Sequence, residues 1–200
     1  MKQLVLATRN LHKVKELQGL LNGAGIKVLT LDDFPHVREV IEDGETIEEN
    51  ALKKARETFR QTTLPALGDD TGLEVYYLND EPGVYSSRYA GPAASYADNC
   101  RKLLGEMRGV PPRRRGARFR CVIAFAAPGV ERIAEGVLPG AIIEDPRGQN
   151  GFGYDPIFLP TDSSLTLAQM NLEMKNHLSH RAKAIENALP ILREYFGGQR

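Results

Sequence analysis

The period of apolar positions changes repeatedly along the chain, and each change marks an element. Leu4 to Ala7 is a short, wholly apolar run, which predicts a strand covered on both faces, as in a mostly parallel sheet. After a polar loop, Thr8 to His12, the residues Val14, Leu17, Leu20 and Leu21 recur at helical spacing until Asn22-Gly23 supplies a stop. Ile26 to Leu31 predicts a second strand. Thr46 and Glu49 have capping-box spacing, and Ile47, Ala51, Ala55 and Phe59 stripe the helix they open. Leu64 to Leu67 predicts another buried strand. Leu73 to Leu78 predicts a more peripheral one, with Gly68-Asp69-Asp70-Thr71-Gly72 connecting the two.

Further on, Tyr96, Cys100, Leu103, Leu104 and Met107 predict a helix, and Pro111 to Arg115 reads as a polar, solvated linker. Arg118 to Ala127 and Val130 to Leu138 flank Pro128-Gly129 as an antiparallel hairpin. A glycine-rich segment, Gly148 to Tyr154, leads to Asp155. Leu165 to Asn176 and Ser179 to Phe196 read as helices, with Pro190 predicted to kink the second. Short strands alternating with helices place the chain in the α/β class. No repeat, low-complexity tract or linker divides residues 1–200, so one domain is expected.

Composition narrows the function. With 26 basic and 26 acidic residues among 200, the chain has no global charge to draw in nucleic acid or an anionic membrane, so any anion must be met locally. Two cysteines, Cys100 and Cys121, lack CxxC spacing and indicate neither a disulfide framework nor a zinc site. No secretory leader and no membrane-spanning run is visible, and a cytoplasmic protein is expected.

The acidic pair Asp69-Asp70 is the strongest chemical signal. Hard carboxylate oxygens suit Mg²⁺, which typically meets a protein through one or two carboxylates plus substrate phosphates. The bland reading of the same residues is a solvated turn. Thr8 to Lys13 lies where a strand gives way to a helix, the place at which open α/β sheets bind anions. It matches neither GxxxxGK[ST] nor GxGxxG, and Asn10 could equally be a simple helix cap.

Four motifs occur here in one order: Thr-x-Asn-x-x-Lys after the first strand, Asp-Asp-Thr-Gly-Leu, Gly151-Phe152-Gly153-Tyr154-Asp155-Pro156, and Lys175 followed by Ser179-His180-Arg181. Together they resemble the Ham1/RdgB family of inosine and xanthosine triphosphate pyrophosphatases, over essentially the whole chain. The resemblance implies an elongated central mixed β-sheet flanked by helices, in two lobes with the active site in the cleft between them. It also implies a cytoplasmic homodimer that uses Mg²⁺ to hydrolyse ITP, dITP or XTP to the monophosphate and pyrophosphate. Residue by residue, it makes Thr8, Arg9, Asn10, Leu11, His12 and Lys13 the triphosphate loop, joined by Thr71. Asp70 becomes the proton acceptor, Asp69 its helper, and Glu42 shares the metal with Asp70. Phe152, Gly153, Tyr154, Asp155, Lys175, His180 and Arg181 take the base.

These roles agree with elementary chemistry. A metal and a lysine beside the leaving pyrophosphate offset its growing charge, and a carboxylate can accept the proton of the attacking water. Hypoxanthine and xanthine carry a 6-keto acceptor where adenine carries a 6-amino donor. Donors from His180 or Arg181 aimed at that oxygen would disfavour ATP by about 1–3 kcal/mol per unmet buried group. Two alternatives stay open on sequence: a Maf-like pyrophosphatase for other modified nucleotides, and a non-catalytic nucleotide- or RNA-binding module.

Overall fold

The computed structural model describes residues 2–38 and 40–198. Among them, a seven-stranded mixed sheet is flanked by helices, in the α/β class expected. The strands are β1 (Gln3–Leu6), β2 (Lys27–Leu29), β3 (Ala66–Val75), β4 (Glu81–Gly83), β5 (Gly116–Ala127), β6 (Val130–Ile142) and β7 (Phe158–Pro160). Their order is β2-β1-β3-β5-β6-β7, with β4 on β3. β1 pairs in parallel with both β2 and β3, whereas β3 with β4 and β6 with β7 are antiparallel. The helices are α1 (Leu11–Leu21), α2 (Ile47–Thr62), α3 (Tyr96–Glu106), α4 (Leu172–Leu178) and α5 (His180–Gly197).

The chain divides into two compact units. The first comprises the residues up to Asp70, Cys121–Gly136 and those from Arg181 onward; the second comprises Thr71–Arg120 and Val137–His180. The first unit's main core packs Leu4, Leu6 and Leu67 of β1 and β3, with Cys121, Ile123 and Phe125 of β5, against Leu17 and Leu21 of α1 and Ala184, Ile185, Ala188 and Leu192 of α5. The second unit has its own core, in which Leu73, Phe119, Leu138 and Phe158 meet Leu103 and Met107. Two separate apolar interiors mean that each unit orders its own side chains.

Several predicted boundaries change. The acidic pair is no connection: β3 runs unbroken from Ala66 to Val75 through Asp69 and Asp70. Its two glycines serve close approach rather than turning, since neither has a positive φ. A Cβ on Gly68 would lie 2.4 Å from the Ala51 carbonyl oxygen, and one on Gly72 would lie 2.9 Å from that of Gly83. The predicted solvated linker holds a buried cation. Arg115 is 4% exposed and donates to the carbonyls of Ile142, Met107 and Val110, so it closes polar groups that the end of α3 leaves open. The single helix expected over Leu165 to Asn176 is instead a 3₁₀ turn at Leu167–Gln169 followed by α4. Pro190 sits inside an unbroken α5. The hairpin forms about Pro128-Gly129, its second strand reaching Ile142.

Candidate active site

Alternation along β3 explains the first cluster. Successive strand residues point to opposite faces, so Asp69 shares a face with Leu67, the face that packs on α1 and α5. Gly68 and Asp70 share the other face, which packs on α2. Lys13 of α1 accordingly reaches Asp69 at 3.2 Å, and Arg181 of α5 donates to the same carboxylate from Nε at 3.2 Å and Nη2 at 3.1 Å. The third guanidinium nitrogen of Arg181, Nη1, donates to Glu16, one turn after Lys13 on α1. On the opposite face, Lys54 of α2 donates to Asp70 at 3.3 Å and to Glu42 at 2.7 Å. Asp69, Asp70, Glu16, Lys54 and Arg181 are all buried.

Burial and neighbours push the two adjacent carboxyls apart. Burial alone would raise the pKa of Asp69, but Lys13, Arg181 and Lys54 overcome it and hold that carboxyl well below the usual range. For Asp70 burial prevails, with Glu42 and Asp69 adding to it against Lys54 and Lys13, and its pKa is raised. Two carboxyls with divergent proton affinities are the arrangement from which acid–base roles are read: Asp69 is a fixed anion and Asp70 is able to take a proton. Lys54 loses charge affinity to burial, yet Asp70, Asp69 and Glu42 restore more than that and keep it an ammonium.

A cation thus already lies against both Glu42 and Asp70, which shows that these oxygens favour positive charge. Among the described residues no group of three or more His, Cys, Asp or Glu could hold a metal. A divalent ion at Glu42 and Asp70 would therefore complete its shell with phosphate and water oxygens, as Mg²⁺ commonly does. The donor set fits such an ion.

Around the loop, Asn10 caps α1, its side chain accepting from the backbone N–H of His12 at 3.0 Å and of Lys13 at 3.4 Å. Thr8 Oγ1 accepts from the Asn10 N–H. Arg9 donates to the Val37 carbonyl at 3.0 Å and lies 3.6 Å from Asp32. Leu11 is 65% exposed, and His12 is exposed too.

The second unit gathers the remaining residues. Asp155 is buried and accepts from Lys175, itself buried, and from the Phe152 N–H at 2.9 Å. Gly151 makes this possible, since a Cβ there would sit 2.0 Å from the Asp155 Oδ2. The Lys175 ammonium stands 4.8 Å from the centroid of the half-buried Phe152 ring, which also meets the Tyr96 ring at 5.8 Å. Tyr154 belongs to the core, and its hydroxyl donates to the Ser86 carbonyl at 2.9 Å. The Gly153 carbonyl accepts from Cys100 Sγ. The buried His180 ring stacks on Phe119 at 4.5 Å. Thr71 is half-buried in β3.

Sequence reading missed Lys54 and Glu16. The available signal was their position in helical stripes: Lys54 falls among Ile47, Ala51, Ala55 and Thr58, and Glu16 falls beside Leu17. Buried charges are rarely unpaired, so each demanded a partner of opposite sign. Gly68 is the hinge of this geometry. Gly68→Ala is expected to push α2 from β3, lowering stability by about 1–3 kcal/mol and separating Lys54 from Asp70. Urea unfolding checks the first effect and turnover the second; a variant with wild-type values in both would refute this packing argument.

Comparison with known proteins gives consistent matches. The model of the Ham1 family matches residues 4–191. A dITP/XTP pyrophosphatase of Geobacter sulfurreducens is 48% identical over 200 residues, covering 100% of this chain and 98% of that one. One from Bacillus licheniformis is 44% identical over 193 residues, covering 96% and 98%. The structure of a HAM1 protein from Coxiella burnetii has a TM-score of 0.87 at 42% identity, covering 97% of this chain and 100% of that one.

Proposed function

Because this chain belongs to the Ham1 family, whose model spans residues 4–191, we propose that it acts as a dITP/XTP pyrophosphatase, as its relatives are named. The reaction is hydrolysis of deaminated purine nucleoside triphosphates, dITP, XTP and ITP, to the monophosphate and pyrophosphate. The observation that carries this reading is the pair of carboxyls on β3, one held ionised and one with raised proton affinity, flanked by two lysines.

In this reading the whole of residues 1–200 serves one activity. The loop Thr8–Lys13 takes the triphosphate, Lys13 supplying its positive charge, and Thr71 contributes to substrate binding. Asp70 accepts the proton of the water that attacks the α-phosphorus, and Asp69 keeps Lys13 in place through their ion pair. Glu42 and Asp70 would hold Mg²⁺, which when bound supplies charge neutralisation for the departing pyrophosphate. Lys54, already between these two carboxylates, adds a second positive charge there. Phe152 offers a ring for the purine, and Asp155 with Lys175 fixes that ring's loop. His180 is retained as a donor to the base. Arg181 is reassigned from base donor to anchor, because its Nε, Nη1 and Nη2 already donate to Asp69 and Glu16. The protein is read as a cytoplasmic homodimer, and no helix among the described residues is long and apolar enough to cross a membrane.

A panel of ITP, dITP, XTP, ATP and GTP assayed with Mg²⁺ tests the reading. Pyrophosphate is expected as the first product, from the 6-keto substrates lacking a 2-amino group, at rates about 5- to 150-fold those on ATP, the discrimination that one buried donor, His180, left facing a 6-amino group supplies. Orthophosphate as the first product would rule the assignment out.

A further inference from the structure

The segment Glu42–Glu45 forms neither helix nor strand, yet each of its residues is tied to the first half of α2. Lys54 donates to Glu42 and Lys53 to Asp43, the Gly44 N–H donates to Asn50 Oδ1 at 2.8 Å, and the Glu45 N–H donates to Glu49 Oε2 at 2.8 Å. The ties at Asp43 and Glu45 are solvent-exposed, where water competes and such bonds constrain little.

Asn50 differs. It is 0% exposed, and it lies one helical turn before Lys54, on the same face. The Gly44 backbone presses directly on it, for a Cβ at Gly44 would be 2.8 Å from Asn50 Oδ1 and 2.9 Å from Glu49 Cβ. Its Nδ2 is buried with no hydrogen-bond partner among the described residues. An amide half-unsatisfied in the interior is a poor choice for packing, since an apolar side chain of similar volume would avoid the penalty. What such a side chain could not do is accept from Gly44.

We propose that Asn50 is a positioning residue for Glu42: by fixing the backbone at Gly44 it sets the Glu42 carboxylate against the cation that Asp70 also meets. This rests on the reading of Glu42 and Asp70 as the metal-binding pair. Asn50 need touch neither metal nor nucleotide to act, and its effect reaches the site through two backbone residues.

The test compares Asn50→Leu, Asn50→Asp, Glu42→Gln and the double variant Asn50→Leu/Glu42→Gln with wild type. In Asn50→Leu the Gly44 amide should exchange with solvent at least about tenfold faster, while the capped amide of His12 is unchanged. Mg²⁺ binding to the nucleotide-free protein, followed by calorimetry, should weaken about tenfold, the scale on which partners behind a metal ligand act. The Mg²⁺ concentration for half-maximal pyrophosphate release should rise with it, while kcat at saturating Mg²⁺ changes far less. Asn50→Asp keeps the acceptor and should keep Gly44 protected. In the Glu42→Gln background, Asn50→Leu should add no further loss of Mg²⁺ affinity.

Unchanged Gly44 exchange, a fall in kcat at every Mg²⁺ concentration without a shift in metal dependence, or full additivity with Glu42→Gln would each overturn the proposal. Asn50→Ser, a smaller change with too short a reach, replaces the leucine variant should that one not fold. A wild-type protein that releases no pyrophosphate overturns only the functional reading, because the exchange and calorimetry measurements need no turnover.

Discussion

Asp70→Asn is expected to cut kcat by roughly 10³-fold or more while leaving the protein folded. Loss of a general base accounts for about 10²–10⁴-fold by itself, and the same change removes one of the two carboxylates read as metal ligands. The fold should survive because the substitution removes a charge whose burial is unfavourable: the raised pKa of Asp70, caused first by burial, means that the folded protein disfavours its ionised form. A group with a raised folded pKa lowers stability once the pH exceeds its unfolded value, so an uncharged amide relieves that cost at neutral pH. Lys54 would lose one partner but keep Glu42 at 2.7 Å. Steady-state pyrophosphate release and urea unfolding at pH 7 measure both halves of this expectation. Near-normal turnover would show that another group takes the proton, and an unfolded variant would show that the pairing of Asp70 with Lys54 holds β3 to α2.

The same residues show how far the sequence could be read. The short apolar run Leu4–Ala7, the helical stripe beginning at Val14 and the hairpin about Pro128-Gly129 were legible because their periodicity reflects burial directly. The acidic pair was recognised as chemistry but placed on a turn, because a run of Gly, Asp and Thr has turn composition whatever its conformation. Only the neighbours of Gly68 and Gly72 reveal that those glycines admit other backbone closely. Arg115 was hidden in the same way inside a run of three arginines. Its burial depends on carbonyls at Met107, Val110 and Ile142 that only the folded chain assembles. Arg181 was legible as a functional position through its motif, but its partner Glu16 lies on α1, far away in sequence, and no local pattern announces that pair.

Arg181→Met is expected to be strongly destabilising, costing about 3–5 kcal/mol at neutral pH, the range for removing one partner from a buried ion pair. The guanidinium is fully buried and stands between two carboxylates, Glu16 and Asp69, which are buried with it. Methionine fills much of the volume and leaves both anions facing each other, with Lys13 the nearest remaining cation for Asp69. The pH dependence identifies the cause. In the wild type Asp69 resists burial's upward pull because Lys13, Arg181 and Lys54 hold its pKa below the unfolded value of 3.8. Its stabilising contribution is therefore complete above that value and is lost only as the pH falls below it, toward the depressed folded value. Without Arg181 the pKa of Asp69 rises, so protonation relieves the buried anion at a less acidic pH. The difference in unfolding free energy between wild type and variant should be greatest near pH 7 and already smaller at about pH 4, as Asp69 of the variant takes up its proton. The triple change Glu16→Gln/Asp69→Asn/Arg181→Met, which removes all three charges, should recover much of the loss, since buried charges replaced together cost little. Urea unfolding of the three proteins at pH 7 and at pH 4 decides the matter. A deficit of equal size at both pH values, unrelieved in the triple variant, would mean that Arg181 stabilises the unit by packing rather than by charge.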